Sequence, residues 1–323
     1  MTRRHVLTLV LMAGLAMGPG SLHAQSYPNR PITLLVGGAP GSVPDVMVRP
    51  VAKRLSAVLG QPVLVDNRPG AAGSLAMSAL VRSAPDGHTL ALATMSQAVF
   101  NAYLFAKLPY DPLRDLEPVA PLVNGAMVLA AHPSFAANTL QEFIALAKAQ
   151  PAKLFVAMPQ SGSPPHIVAL LLNRATGVDV TMVAHKSGAD AVIAVVSGEI
   201  PLLFDAPTII SNQVKAGKLK ALTVTGRLRE PALPDTPTAG ESGFNVQGEA
   251  WIGMVAPKGT PPAIVQRLNR ELAGILATGE MNSLMARLGF RTMASTPDAF
   301  ASLIREEHAK WAAVIRDAGL KVE

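Results

Sequence analysis

The stretch LLVGGAPGSVPDVMVRPVAKRL, Leu34 to Leu55, carries an apolar strand into a glycine-rich turn and the turn into a helix. Residues 32–36 form a short run rich in branched side chains, as in a buried parallel strand. Residues 46–59 place apolar side chains at 48, 51, 52, 55, 58 and 59, a helical spacing that Gly60 ends. Pro50 falls inside that helix and removes one hydrogen bond, so either the helix kinks there or its regular part starts later than Pro44 suggests. A strand over 62–66, a helix over 74–83 and a strand over 89–94 complete a βαβαβ unit, the building block of a parallel sheet with helices on both faces.

A second series follows. The pattern predicts helices over 139–149, 164–175, 189–196 and 208–216, and strands over 154–158, 180–184, 201–204 and 219–225. A Pro/Gly-rich bridge over 231–248 leads to a strand over 251–256 and three helices over 262–277, 281–288 and 297–318. Three strands are too few for the first sheet, so the C-terminal segment is expected to return to it. The chain then crosses between lobes twice, near residues 118–125 and 244–251. The expected fold is α/β and two-lobed, each lobe a mostly parallel sheet flanked by helices. Lobe 1 is 27–124 plus 246–323 and lobe 2 is 125–245, hinged around a cleft.

Composition narrows the function. The chain has 323 residues, a net charge of +6 and no cysteine. Its cations are scattered and only 4% of its residues are aromatic, unlike a nucleic-acid groove with clustered cations and stacking rings. A mild positive field suits small anions. Residues 1–24 read as a signal peptide: Arg3 and Arg4, an apolar run over 6–17, then Leu22-His23-Ala24. The Sec and twin-arginine routes both stay open.

The strand ends carry the candidate binding groups. Gly37 to Ser42 offers main-chain N–H groups at a helix N-terminus, enough to hold an anion without a cationic side chain; a plain strand-to-helix turn is the competing reading. Ser161, Gly162, Ser163 and His166 repeat the device ahead of Pro164. Thr94, Ser96 and Gln97 end the third strand. Gly70 and Gly73 permit a sharp turn that either packs beneath the first turn or touches ligand. Walker, dinucleotide, G-x-S-x-G and H-E-x-x-H motifs are missing, and the seven histidines are dispersed. No cofactor, metal or catalytic set is therefore assigned; a Ser163–His166 hydrolase pair would lack a third group to orient the histidine.

Several blocks in order resemble one family. They are YPNRPITLLV with GSVPDVMVR, LGQPVLVDNRPGAAG, APDGHTLALAT, LPYDPLRDLEPV, GSPPHIVALLL, SGEIPLLFDAP, VKAGKLKALTVT, LPDTPTAGESGF and WIGMVAPKGTP. Together they resemble the Bug, or TctC-like, periplasmic solute-binding receptors of tripartite tricarboxylate transporters. The resemblance implies two lobes closing on a small carboxylate, held by backbone groups and bridging waters, with no catalysis. On matching positions it implies first-lobe contacts from Ala39, Pro40, Gly41, Ser42, Thr94, Ser96 and Gln97. The second lobe would add Ser161, Gly162, Ser163, His166, His185 and Asp205. Asp205 either binds water or a ligand donor, or caps the following helix. The sequence departs from the family pattern at Gly37-Gly38, Gly41-Ser42, Gln160 and His185-Lys186-Ser187, which suggests a wider or more polar cleft. The expected protein is a monomeric periplasmic receptor that serves membrane permease subunits; a periplasmic sensor is the alternative.

Overall fold

The computed structural model describes residues 27–321. The expected leader lies outside them.

The chain opens with β1 (Ile32–Val36), α1 (Val43–Leu59), β2 (Val63–Asn67), α2 (Ser74–Val81) and β3 (Thr89–Thr94). The glycine-rich turn thus sits between β1 and α1, as the periodicity predicts. α1 runs through Pro50 as one helix. Val46, whose carbonyl loses its partner there, is exposed, so water can take that bond. After β3 the backbone makes a π-helical turn over Ser96–Phe100 and a short α3 (Asn101–Leu104).

Two strands then follow that the periodicity does not predict, β4 (Leu116–Ala126) and β5 (Val128–Ala131). Pro118 and Pro121 argue against a central strand, since neither donates to a ladder. The structure accommodates both with register shifts against a later strand, where Pro121 faces Gly253 and Pro118 faces Val255. The second series is α4 (Leu140–Ala149), β6 (Phe155–Met158), α5 (Pro164–Thr176), β7 (Thr181–Ala184), α6 (Gly188–Val196), β8 (Leu202–Asp205), α7 (Pro207–Lys215) and β9 (Lys220–Val224). The chain ends with β10 (Glu249–Pro257), α8 (Pro262–Leu276), α9 (Gly279–Arg287), a two-residue β11 (Arg291–Thr292) and α10 (Pro297–Asp317).

The strands form two sheets, ordered β11-β4-β10-β3-β1-β2 and β7-β6-β8-β5-β9. Four strands of six and four of five run the same way. β10 and β11 are reversed in the first sheet and β5 in the second. The last segment does return to the first sheet, where β10 lies between β3 and β4.

The chain leaves the first sheet at Ala126, paired with Glu249, and enters the second at Val128, paired with Asp205 and Val224. Thr225 ties this passage to the returning one. Its N–H donates to the Met127 carbonyl at 2.9 Å, its Oγ1 accepts the Met127 N–H, and its hydroxyl donates to the Gly248 carbonyl. Buried Glu230 accepts the Ala126 N–H at 3.3 Å and pairs with Arg291 of β11 at 3.1 Å. α10 packs on β4, on the π-helical turn and on α5, and its Asp317 pairs with Arg174 of α5 at 2.7 Å.

Candidate functional site

Every candidate residue sits at or just beyond the carboxyl end of one of the parallel strands β1, β3, β6, β7 and β8. That edge is where open α/β sheets bind ligands. In the second sheet Met158 pairs with Ala184 and Ala157 with Leu203, so the turns after β6, β7 and β8 emerge side by side.

The turn after β1 is already occupied by a carboxylate of the protein. Asp45, in the first turn of α1, accepts the Gly41 N–H at 2.8 Å. Arg49 holds the same carboxylate through Nε at 3.0 Å and Nη2 at 2.7 Å. Asn67 at the end of β2 donates to the Gly38 carbonyl and to Asp45 Oδ1, both at 2.9 Å. Burial pushes the Asp45 carboxyl up, but the hydrogen bonds from Arg49, Gly41 and Asn67 outweigh it and hold the group below the usual carboxylate range. The network aligns the turn and neutralises its own charge. Asp45, Arg49 and Asn67 were not among the sequence candidates, although an Asp four residues before an Arg on a helix signals the pair.

Ser42 is the N-cap of α1, yet its hydroxyl makes no cap bond and is buried without a partner. At Gly38 a Cβ would lie 2.4 Å from Ser42 Oγ, and at Gly37 it would lie 2.8 Å from the Gly73 Cα. Around these two glycines the Ser42 side chain and the 70–73 turn pack closely against the backbone. That turn has positive φ at Gly70, Ala71, Ala72 and Gly73, and it packs beneath the first turn.

Gln97 is buried and heavily committed. Its Oε1 accepts the Thr94 N–H at 2.8 Å and the Thr94 hydroxyl, while its Nε2 donates to the Ala72 carbonyl. Gln97 thereby couples the end of β3 to the 70–73 turn. The π-helical turn places Ser96 and Gln97, and its carbonyls are met from outside. Tyr110 donates to the Gln97 carbonyl and His308 Nε2 to the Ala98 carbonyl, both at 2.7 Å.

The turn after β6 offers fewer N–H groups than its sequence promises. Gly162 N–H donates to His166 Nδ1 at 3.0 Å, and Ser163 N–H to the Gln160 carbonyl. Pro164 and Pro165 have none. Ser163, N-cap of α5, leaves its hydroxyl buried and unpartnered, as Ser42 does. Burial pushes the His166 imidazole down to about 4, so it is neutral at pH 7 with its hydrogen on Nε2. Because Nδ1 accepts from Gly162, its lone pair is not free to act as a base toward Ser163, whose hydroxyl it does not bond. His185 Nδ1 donates to the Val183 carbonyl at 3.0 Å.

Asp205, at the end of β8, is 4% exposed. Its Oδ1 accepts the Ala206 N–H at 2.7 Å and its Oδ2 has no partner. It does not cap α7, whose N-cap is Ala206. Burial pushes its carboxyl up to about 7, with the Ala206 N–H opposing. Among the described residues no group of three or more His, Cys, Asp or Glu forms a metal cluster.

Comparison with known proteins identifies the family. Residues 47–320 match the family described as Tripartite tricarboxylate transporter family receptor. Protein BugT of Bordetella pertussis is 32% identical over 316 residues, 97% of this chain and 96% of that protein. The R. palustris protein Rpa4515, solved with adipate, superposes with a TM-score of 0.83 at 29% identity over 91% of this chain and 99% of its own. MatC from Rhodopseudomonas palustris, solved with malate, gives 0.78 at 33% identity over 90% and 100%. The chain belongs to the tripartite tricarboxylate transporter receptor family.

Proposed function

We propose that this protein is an extracytoplasmic receptor that captures a small carboxylate in the cleft between its lobes and delivers it to the permease subunits of a tripartite tricarboxylate-type transporter. The lobes are taken as 27–124 with 246–323, and 125–245, and residues 1–24 direct export to the periplasm. Ala39, Pro40, Gly41, Ser42, Thr94 and Ser96 line the ligand from one lobe. Ser161, Gly162, Ser163, His166, His185 and Asp205 line it from the other, and Gln97 holds the Thr94 turn in place.

The observation that carries this reading is the matched pair of N-cap serines. Ser42 and Ser163 open long helices at the ends of β1 and β6, and both hydroxyls are buried without partners. A buried hydroxyl without a partner is costly, so a ligand oxygen is its natural complement. The Rpa4515 and MatC complexes, with adipate and malate, point to the same ligand class.

Closure follows from differential affinity: a ligand touching both turns stabilises the closed state only by contacts missing from the open one. Micromolar affinity corresponds to about −8 kcal/mol. Two helix N-termini at about 0.3–1 kcal/mol each fall far short, so buried hydrogen bonds and expelled water must supply most of it.

The test is thermal denaturation against mono-, di- and tricarboxylates, acidic amino acids and aromatic acids. A native-state ligand at one hundred times its Kd adds about 2.7 kcal/mol of stability. A concentration-dependent rise in Tm for one class identifies the ligand. No rise with any acid removes the carboxylate reading.

A further inference from the structure

Asp205 presents an arrangement that folding alone leaves incomplete. Its Oδ2 is buried and unpartnered, and it lies against the first residue of α6: a Cβ on Gly188 would come within 2.4 Å of it. Glycine there makes room for the carboxyl. The register of β8 beside β6 sets Asp205 level with the start of the turn that carries Ser163, whose hydroxyl is also unpartnered. Thr208 Oγ1, in the first turn of α7, is a third buried orphan close by in sequence. Three polar atoms that follow β6 and β8, the Ser163 and Thr208 hydroxyls and Asp205 Oδ2, are thus buried without partners.

Among the described residues no cation pairs with the carboxyl. The elements packed on β8 are β5, β6, α5 and α6, with α7 following it. β5 and β6 carry no ionisable side chain. α5 carries neutral His166 at its start and Arg174 near its end, the latter paired with Asp317. Asp190 of α6 is hydrogen-bonded to Ser187, Lys215 lies in the last turn of α7, and His185 and Lys186 precede α6. None of these contributes to the Asp205 proton affinity, which is raised by burial. An isolated buried carboxylate takes up a proton rather than stay charged.

Resting on the receptor reading above, we propose that Asp205 binds ligand in its acid form, its Oδ2–H donating to a ligand oxygen, so that the anion is taken up together with one proton. The ligand class this selects is an acid whose second end is itself a hydrogen-bond acceptor, such as a second carboxylate. An ionised Asp205 would repel that group; the acid form completes both partners without a cation. The proton comes from solvent and stays on Asp205 until the ligand leaves.

The experiment is isothermal titration of the purified protein with adipate and with malate at pH 6 and pH 8, in phosphate and in Tris. The difference in heat between buffers counts the protons taken up. The expected result is uptake approaching one proton per ligand at pH 8 and little at pH 6, with binding about tenfold weaker at pH 8. Asp205→Asn, which keeps a neutral donor, is expected to bind at both pH values without proton uptake. Should that variant fold poorly, the wild-type proton count alone decides. Binding with no uptake at pH 8, or with proton release, overturns the Asp205 inference and leaves the receptor reading standing. No binding of adipate or malate at either pH, together with no rise in Tm for any acid of the wider panel, removes both.

Discussion

The carboxylate of Asp45 accepts the main-chain N–H of Gly41 at 2.8 Å, four residues back across the turn between β1 and α1. The helix N-terminus that could hold an external anion therefore already holds an internal one, balanced by Arg49. What remains for a ligand is the Ser42 hydroxyl and the shape of a turn locked from behind. Replacing Asp45 by Ala removes charged hydrogen bonds to Gly41, Arg49 and Asn67 together. The expected cost is about 2–3 kcal/mol in urea denaturation at pH 7, with weaker ligand binding. Because the folded carboxyl lies below its ordinary value, its contribution is present above the unfolded carboxylate pKa and is lost as pH falls through the folded one. A variant as stable as wild type at pH 7 would show that the network does not hold the turn.

The two N-cap serines separate stability from binding. Ser42→Ala and Ser163→Ala each remove a hydroxyl that bonds nothing in the fold. Stability is expected to stay within about 0.5 kcal/mol of wild type, while each variant weakens ligand binding about three- to tenfold. Calorimetry and denaturation on the same samples check this, and loss of stability with unchanged affinity would assign the hydroxyls to folding.

His166 sets an acid limit on the fold. Its folded pKa is pushed down to about 4 by burial, against an ordinary value of 6.5. Between those values the unfolded chain binds the proton and the folded chain does not, so stability falls as pH drops from 6.5 toward 4. His166→Gln is expected to flatten that part of the profile. An unchanged slope in Tm against pH would mean that His166 protonates freely in the native state.

Glu230 and Arg291 join the segment after β9 to the edge of the first sheet. Glu230 is 1% exposed, and burial raises its carboxyl although Arg291 and the Ala126 N–H pull it down. Arg291→Ala leaves that carboxylate buried and alone, at an expected cost of about 3–5 kcal/mol at pH 8. The loss is smaller at pH 5, where Glu230 can protonate in the folded variant. Equal losses at both pH values in urea titrations would argue against an unpaired charge as the cause.

Ala72 occupies left-handed backbone at φ 51°, within a turn where all four residues have positive φ. A left-handed non-glycine residue costs about 1 kcal/mol or more, so Ala72→Gly is expected to hold stability or raise it by up to about 1 kcal/mol. Marked destabilisation would mean that the Ala72 methyl packs more favourably than its backbone is strained.

The sequence by itself determined the periodic elements. Branched apolar runs made β1 and β3, the helical spacing made α1, and the three closing helices appear within two residues of their expected ends. Those signals are local, because each strand or helix must turn its apolar side chains one way whatever lies opposite. β4 escaped because Pro118 and Pro121 break the local rule, and only pairing with β10, with its shifted register, makes that strand possible. The strand-end residues were legible as a set of small and hydroxylic side chains. Their remaining hydrogen-bonding capacity was not, since it depends on partners distant in the chain. Asn67 reaches Gly38, Glu230 reaches Ala126, and His308 reaches the π-helical turn. Gly41 and Gly162 spend their N–H groups locally, on Asp45 and His166 four residues on, whereas tertiary packing decided that the Ser42 and Ser163 hydroxyls and Asp205 Oδ2 are buried without partners. The physical reason is that burial fixes which polar atoms can still reach water, and burial is a property of the whole chain.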